Sequence, residues 1–193
     1  MKTLVVVLLA CLVATSALGS NNYGFDTMGI FFDTAYANEQ MYAGLYQPFN
    51  VYLVLLNPLS ATNGFECTIT TTGPASPFVL STVLDGVGAI DVDASVNGYM
   101  VGCAANYPAA NGGCRLVTWQ YMVTASGGLS FYISKATTPS LPGNLPVVTG
   151  DGVLRRCATT GYFDGLPCAC VNTVCRGTPV EPTTFGAVKS LFR

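Results

Sequence analysis

The sequence predicts an all-β protein, an immunoglobulin-like β-sandwich with a disulfide-rich C-terminal segment and a short tail. Short apolar or alternating segments, separated by turn residues, recur every ~8–15 residues between residues 20 and 180. Helical periodicity is almost absent from the same range. Seven cysteines remain after a predicted export signal, and cysteines in an exported chain favour disulfides.

Five segments in the first half of the chain predict strands. They are residues 28–32, 49–56, 65–72, 78–83 and 99–103. The nearly continuous apolar run at residues 49–56 predicts a central strand that is covered on both faces. The third segment alternates, so that Cys67, Ile69 and Thr71 share one face.

The clearest alternation lies in residues 115–124, where Trp119 is expected in the core. Gly127 and Gly128 supply a turn, because glycine accepts positive φ. Residues 129–134 alternate again, so these two strands are predicted to form a β-hairpin.

The composition of the chain changes at residue 137. Residues 137–152 are rich in Pro and Gly and predict an extended connector, with edge pairing rather than core packing. Asp151-Gly152 and Asp164-Gly165 are turn signals. Residues 157–175 are expected to form an end piece that is tied by disulfides.

The sequence predicts three units along the chain: an export signal, a domain and a C-terminal tail. Residues 1–19 resemble a secretory signal peptide, with Lys2 before an apolar run of 11 residues that is too short to span a bilayer. Cleavage is expected after Gly19 or, alternatively, after Ala17, and a lipoprotein signal at Cys11 is a rival interpretation. Residues 20–176 are expected to form the sandwich domain, and residues 177–193 a linker and a C-terminal tail.

The composition excludes several functional classes. The chain has 193 residues, of which 50% are hydrophobic and 9% charged, with 8 Lys plus Arg, 10 Asp plus Glu and no His. A nucleic-acid-binding face needs clustered Lys and Arg, so that class is excluded. The usual hydrolase triads and His-ligated zinc sites need a histidine. We therefore expect no catalytic activity and no cofactor, and no transmembrane helix in the mature chain.

Seven cysteines are candidates for disulfides. Cys103 and Cys114 flank a loop rich in Pro, Asn and Gly, which a local bridge would hold together. Because seven is odd, one thiol stays free or pairs between molecules. The spacing of Cys168, Cys170 and Cys175 matches no regular zinc site, although binding of a soft metal is an alternative to disulfides. The candidates are Cys67, Cys103, Cys114, Cys157, Cys168, Cys170 and Cys175.

Two other kinds of side chain are candidates for binding. Asp91 and Asp93 would share a strand face, which permits a shared Ca²⁺ without requiring it, and solvated acids at a strand edge are the simpler interpretation. Six tyrosines lie in predicted loops, where they can stack on sugars, anchor a protein partner or cover loop cores. They are Tyr23, Tyr36, Tyr42, Tyr46, Tyr107 and Tyr162.

Several segments together resemble a group of uncharacterised secreted β-sandwich proteins of Gram-negative bacteria. These segments are residues 29–33, 48–58, 64–67, 139–150 and 167–172. The tail is similar to their terminal pattern T-[WF]-G-x-V-K-x-L-[YF]-R through Phe185, Gly186, Val188, Lys189, Leu191, Phe192 and Arg193. The resemblance implies export and a sandwich but no activity, and the extra C-terminal cysteines depart from it. A tail of this kind is either a sorting or docking element or a terminal helix packed on the sandwich.

The sequence thus predicts an exported, disulfide-stabilised structural or adhesive protein, secreted or at the cell surface. Few charges and long apolar strands suit a protein that packs against other proteins or against copies of itself. The alternative is a module that binds glycans or small ligands through loop tyrosines, with calcium as an aid. A glycosidase needs two carboxylates that face one cleft, and ten thinly spread acids argue against it.

Overall fold

The computed structural model describes residues 23–161 and 165–175. The predictions for residues 1–19 and 177–193, including the tail motif, lie outside these residues. The described residues form fourteen strands: β1 (Thr27–Phe31), β2 (Gln40–Met41), β3 (Pro48–Leu56), β4 (Gly64–Thr72), β5 (Pro77–Leu84), β6 (Ile90–Asp91), β7 (Gly98–Gly102), β8 (Ala109–Ala110), β9 (Gly113–Val123), β10 (Leu129–Ser134), β11 (Val147–Gly150), β12 (Val153–Arg156), β13 (Ala158–Thr159) and β14 (Ala169–Val171). Within this part of the chain, no helix is long and apolar enough to cross a membrane.

The strands form two sheets that enclose one main core. Sheet A has the order β13-β1-β3-β9-β5, with β8 also beside β9. Sheet B has the order β12-β11-β4-β10-β14-β2, with β7 beside β4 and β6 beside β7. Neighbouring strands are antiparallel except in the pairs β1–β13 and β14–β2. The prediction of an all-β, immunoglobulin-like sandwich is confirmed.

Strand β3 lies at the centre of sheet A and is buried on both faces. Its residues 51–56 are all buried, as the apolar run predicts. Val51, Leu53 and Leu55 face the core between the sheets. The side chains that alternate with these point to the outer face of sheet A, and they are Tyr52, Val54 and Leu56. There they form a smaller cluster with Tyr23 and Phe31. The long apolar segment thus supplies two layers of packing.

Trp119 connects the two sheets. Its side chain is buried in the core, as predicted. The indole Nε1 donates a hydrogen bond of 2.8 Å to the hydroxyl of Tyr99, and the two rings meet edge to face at 5.8 Å. Trp119 lies on β9 of sheet A and Tyr99 on β7 of sheet B. A polar contact therefore fixes how the sheets face each other.

The predicted hairpin between the two strands around Gly127-Gly128 is wrong. Strand β9 pairs with β3 and β5 in sheet A, whereas β10 pairs with β4 and β14 in sheet B. The connection crosses between the sheets, with Gly127 at φ 123°. The apolar faces of β9 and β10 meet across the core instead, where the rings of Tyr121 and Phe131 are perpendicular at 5.4 Å. Packing face to face buries the apolar faces of both β9 and β10, and this favours their placement in opposite sheets over a hairpin within one sheet.

The Pro- and Gly-rich segment after residue 137 is more than a connector. Its second half forms β11, which pairs with β4 and buries Val147 and Val148, so the prediction of no core packing is wrong there. Asp151 and Gly152 form the predicted turn to β12, both with positive φ. The first half is held by Glu66 of β4, whose buried carboxylate accepts bonds from the backbone N–H and the hydroxyl of Ser140, at 2.7 and 2.6 Å.

Candidate functional site

Strand β5 is the free edge of sheet A. It pairs with β9 only, antiparallel, from Pro77 opposite Val123 to Leu84 opposite Val117. The register shifts between Val79 and Ser81, which leaves Leu80 as the extra residue of a β-bulge. Within residues 23–161 and 165–175, no strand lies beside the main-chain groups of β5 that point away from β9. We call β5, Pro77–Leu84, the apolar edge.

The apolar edge exposes both of its faces. Phe78 and Val83 lie opposite Met122 and Thr118, on the outer face of sheet A, whereas Val79 lies opposite Tyr121 on the core side. Among the described residues, sheet B does not cover β5, so that even its core-side positions are exposed. The exposed fractions of the large side chains are 56% for Phe78, 45% for Val79, 41% for Leu80 and 53% for Val83. An edge strand that exposes apolar side chains on both faces is a site where another chain can pair.

The apolar edge has little of the charge that usually protects an edge strand. Its eight residues include no Lys, Arg, Asp or Glu, and only Pro77 and the bulge at Leu80 interrupt pairing. The first acid beyond it, Asp85, accepts bonds from Arg115 at 2.9 Å and from the hydroxyl of Thr118 at 2.7 Å. These bonds hold the carboxylate against β9. The charge that follows the strand is thus engaged within the molecule.

The other edges of the described sheets are short. The opposite edge of sheet A is β13, which has two residues. In sheet B, β6 and β2 have two residues each, and β12 has four. Among the strands of residues 23–161 and 165–175, the eight-residue β5 is therefore the longest edge. It is the place where this fold can accept a further strand.

The seven predicted disulfide candidates divide into one bridge and five thiols. Cys170 and Cys175 form a disulfide, with their Cα atoms 5.4 Å apart. The remaining five are free thiols in this structure, and they are Cys67, Cys103, Cys114, Cys157 and Cys168. The local bridge between Cys103 and Cys114 is not formed. Both thiols lie near Tyr107: Cys114 Sγ is 3.8 Å from its carbonyl, and Cys103 interacts with its side chain and packs over Gly86.

Burial suppresses the reactivity of the core thiols. It raises the pKa of the Cys157 thiol to about 12, against an ordinary value of 9.0. It also raises the pKa of Cys67, with the nearby Cys157 adding to the effect, and the pKa of Cys168. Because the thiolate is the nucleophile and the metal ligand, these thiols are unreactive at neutral pH. Their role in this structure is packing.

The calcium candidates Asp91 and Asp93 are used to order a turn. Asp91 Oδ1 accepts bonds from the backbone N–H groups of Asp93 and Met100, at 3.0 and 2.9 Å. Asp93 Oδ1 accepts a bond of 2.8 Å from the N–H of Ser95. In the described part of the chain, no three residues of the types His, Cys, Asp and Glu form a group that could hold a metal. The structure thus gives both carboxylates a local structural role.

The six predicted loop tyrosines differ in exposure. Tyr23 and Tyr107 are buried, and the half-buried Tyr36 packs on Phe31 at 6.1 Å. These three cover loop cores, which is one of the roles that the sequence allows for them. Tyr42 and Tyr46 are exposed by 85% and 65% on the loop between β2 and β3. Tyr162 lies outside the described residues.

A groove of about 580 Å³ lies beside the end of β10. Tyr132 and Ser134 of β10 border it, together with Thr70 and Thr72 of β4 and Asn144 of the Pro-rich segment. Its lining mixes hydroxyl and amide groups with aromatic and aliphatic side chains. The sequence did not single out this groove, because its walls come from segments that are distant along the chain.

No protein-family model matches the sequence, and no curated protein matches it either. Several solved structures are similar in fold. The sixth cohesin of scaffoldin B from Acetivibrio cellulolyticus, solved in complex with a mutant Cel5 dockerin, is 9% identical with a TM-score of 0.49, over 78% of this chain and 100% of that chain. A type II cohesin domain from the cellulosome of the same organism is 12% identical with a TM-score of 0.48, over 77% and 96% of the two chains. The seventh ScaB type I cohesin from Pseudobacteroides cellulosolvens is 10% identical with a TM-score of 0.45, over 81% and 95%. Likeness at this level carries no information on activity or partners.

Proposed function

We propose that the protein is an exported, non-catalytic structural or adhesive module that binds other proteins or copies of itself through the apolar edge. The observation that carries this proposal is the exposure of β5 on both faces at a free sheet edge. Main-chain N–H and C=O groups at such an edge supply affinity for an added strand, and exposed side chains supply specificity. The partner contributes a strand and apolar side chains, and no catalytic group is needed.

Three acids of the sandwich support a non-catalytic role, because each is engaged in a structural bond. Asp26 pairs with Arg155, Glu66 holds Ser140, and Asp85 pairs with Arg115. Paired acids that act on a glycoside must face one cleft with their carboxyl groups roughly 5–10 Å apart. Each of these three carboxylates is instead bound to a different partner within the sandwich.

A charge on the apolar edge tests this function in the native host. Val83→Lys places an ammonium group on an exposed position of β5, and Val96→Lys places the same group on an exposed loop residue. We expect Val83→Lys to reduce retention of the protein at the cell surface, or its crosslinking to a surface partner, by about tenfold or more. Val96→Lys is expected to behave as wild type. Equal retention of both variants would reject a binding role of the edge.

Export and the fate of the tail are further parts of the proposal, and the intact mass of the protein from its host tests them. The proposal predicts a chain that begins at Ser20 or, with the alternative cleavage after Ala17, at Leu18. Loss of residues 183–193, or an added mass on them, would support a sorting tail. An intact tail would support docking on the sandwich. A chain that still begins at Met1 would contradict export.

A second candidate function is glycan binding in the groove beside β10. The observation that favours it is the combination of Tyr132 with hydroxyl and amide side chains around about 580 Å³. Aromatic rings stack on sugar faces while such polar groups bind the hydroxyls. A glycan array distinguishes the functions. Hits that are lost in Tyr132→Ala and kept in Tyr42→Ala, whose ring is exposed elsewhere, would support this second function.

A further inference from the structure

We propose that the partner of the apolar edge is a second copy of this chain, which forms a two-fold dimer by antiparallel pairing of β5 with itself. This inference rests on the proposed function, because it names the partner of the same edge.

The composition of the apolar edge suits self-pairing. In a two-fold dimer β5 of one molecule pairs with β5 of the other. Any charge on β5 would therefore lie close to the identical charge of the second molecule. Pro77–Leu84 contains no charge, and no like charges meet within the paired strands. Asp85 is the nearest acid, and its carboxylate is bound to Arg115 on the β9 side. An uncharged apolar strand is self-complementary in a way that a charged edge is not.

The alternation of side chains is compatible with a register centred on Thr82, which we choose because it pairs the two threonine side chains. Ser81 and Val83 lie on the outer face of the sheet, opposite Gln120 and Thr118, whereas Thr82 lies on the core side. Residues that are opposite in an antiparallel pair share a face, so a two-fold axis beside Thr82 places Ser81 opposite Val83 and Thr82 opposite its own copy. A cross-strand Thr–Thr pair is favourable. The pairs formed by residues 81–83 lie in the regular part of β5, beyond the bulge at Leu80.

The other edge of sheet A limits the assembly to two copies. Pairing through β5 joins two five-strand paths into one continuous sheet of ten strands, which is about the greatest width of a strongly twisted open sheet. Both ends of that sheet are β13, which has two residues and offers too few main-chain groups for a further strand. The contact is therefore isologous and closed, and it does not propagate into a fibre.

A single cysteine at the axis tests the pairing in the full chain. Thr82→Cys places two thiols opposite each other at the Cα separation of ~4.5–5.5 Å that an antiparallel pair provides and a disulfide requires. We expect Thr82→Cys to form covalent dimers under mild oxidation at least on the order of tenfold faster than Val96→Cys, an exposed loop control. Rates that are equal in the two variants would overturn the register.

Sedimentation of the wild-type chain and Val83→Lys keeps the inference testable if the cysteine variant folds poorly. We expect concentration-dependent dimers of wild type and monomers of Val83→Lys. A wild-type chain that stays monomeric at high concentration would overturn the dimer. If Val83→Lys nevertheless loses cell-surface retention, the edge binds a different protein and the proposed function stands. If neither property changes, both the dimer and the proposed function fail.

Discussion

Arg155 and Asp26 form a buried ion pair that joins the edge strand β12 to the segment before β1. The Nε atom lies 2.8 Å from Asp26 Oδ2, and both side chains are largely buried. The guanidinium also donates to the hydroxyl groups of Ser60 and Thr62, at 2.8 and 3.0 Å. Arg155 thus connects three segments: the loop before β4, the segment before β1 of sheet A, and the edge strand β12 of sheet B. An arginine that the sequence shows only as half of an isolated basic pair is a central polar contact of the fold.

Loss of the negative charge at Asp26 should destabilise the protein strongly. Asp26→Asn leaves the guanidinium of Arg155 buried without a counter-ion, and breaking a buried pair in this way costs about 3 kcal/mol or more. The free energy of unfolding, measured with urea, is expected to fall by that amount. Asp151→Asn removes the same charge from an exposed turn and should change it by less than about 0.5 kcal/mol. Similar losses in the two variants would contradict the role of the pair.

Removal of the Tyr99 hydroxyl should loosen the contact between the sheets. Tyr99→Phe leaves the indole N–H of the buried Trp119 without its acceptor, which costs about 1–3 kcal/mol of unfolding free energy. Because Trp119 is the single tryptophan of the sequence, its fluorescence follows unfolding directly. Tyr42→Phe changes an exposed tyrosine and serves as the control. Unfolding midpoints that match wild type in both variants would reject a stabilising role of the bond.

The buried thiol of Cys157 should make the protein less stable at high pH. Its pKa is raised to about 12 in the folded state, whereas an exposed thiol in the unfolded chain titrates near the ordinary value of 9.0. Between these values the unfolded chain loses a proton that the folded chain keeps. The stabilising contribution is therefore complete below pH 9 and lost as pH rises towards 12.

Unfolding free energies between pH 8 and 11 measure this effect. Each such thiol adds a downward slope of up to about 1.4 kcal/mol per pH unit. Cys157→Ala is expected to be less stable at pH 8, because its pocket is underfilled, but to show a shallower decline with pH. The same slope in wild type and variant would contradict a raised pKa at this position.

Loss of the Ser140 hydroxyl should release the Pro-rich segment before β11. Ser140→Ala removes one of two bonds to the buried carboxylate of Glu66, and a bond to a charged group contributes about 1.5 kcal/mol or more. We expect faster proteolysis between residues 137 and 146, with little change in the global unfolding midpoint. Thr138→Ala, two residues earlier and exposed, should be cleaved at the wild-type rate. Cleavage of Ser140→Ala at that same rate would show that Glu66 does not hold the segment.

Local patterns predict the strands well and their partners poorly. The alternation around Trp119 and the apolar run of β3 identify buried strands, because each pattern follows from burial of one or both faces. The false hairpin at Gly127-Gly128 shows the limit of such patterns. A two-glycine turn allows either a hairpin or a crossing between sheets, and the choice depends on contacts such as that of Tyr121 with Phe131. Those contacts join residues whose pairing no local pattern encodes.

The apolar edge has a sequence signal that is visible only once the topology is known. Residues 78–83 predict an ordinary strand, and their exposure depends on sheet B ending short of β5. The absence of charge from Pro77–Leu84 would suit a buried strand equally well. Residues 147–148 show the opposite error. The Pro and Gly residues around them predict an exposed connector, whereas pairing with β4 places them in the core. Burial of a strand depends on its neighbours in the sheet as well as on its own residues.

Amide hydrogen exchange along β5 at increasing protein concentration reports directly on pairing through the apolar edge. The amides of Phe78–Leu84 that point away from β9 are bonded to solvent in a monomer and to a second strand in the proposed dimer. We predict that their protection rises with concentration while that of the β9 amides stays constant. Protection of β5 that is the same from the most dilute to the most concentrated sample would contradict pairing through the apolar edge.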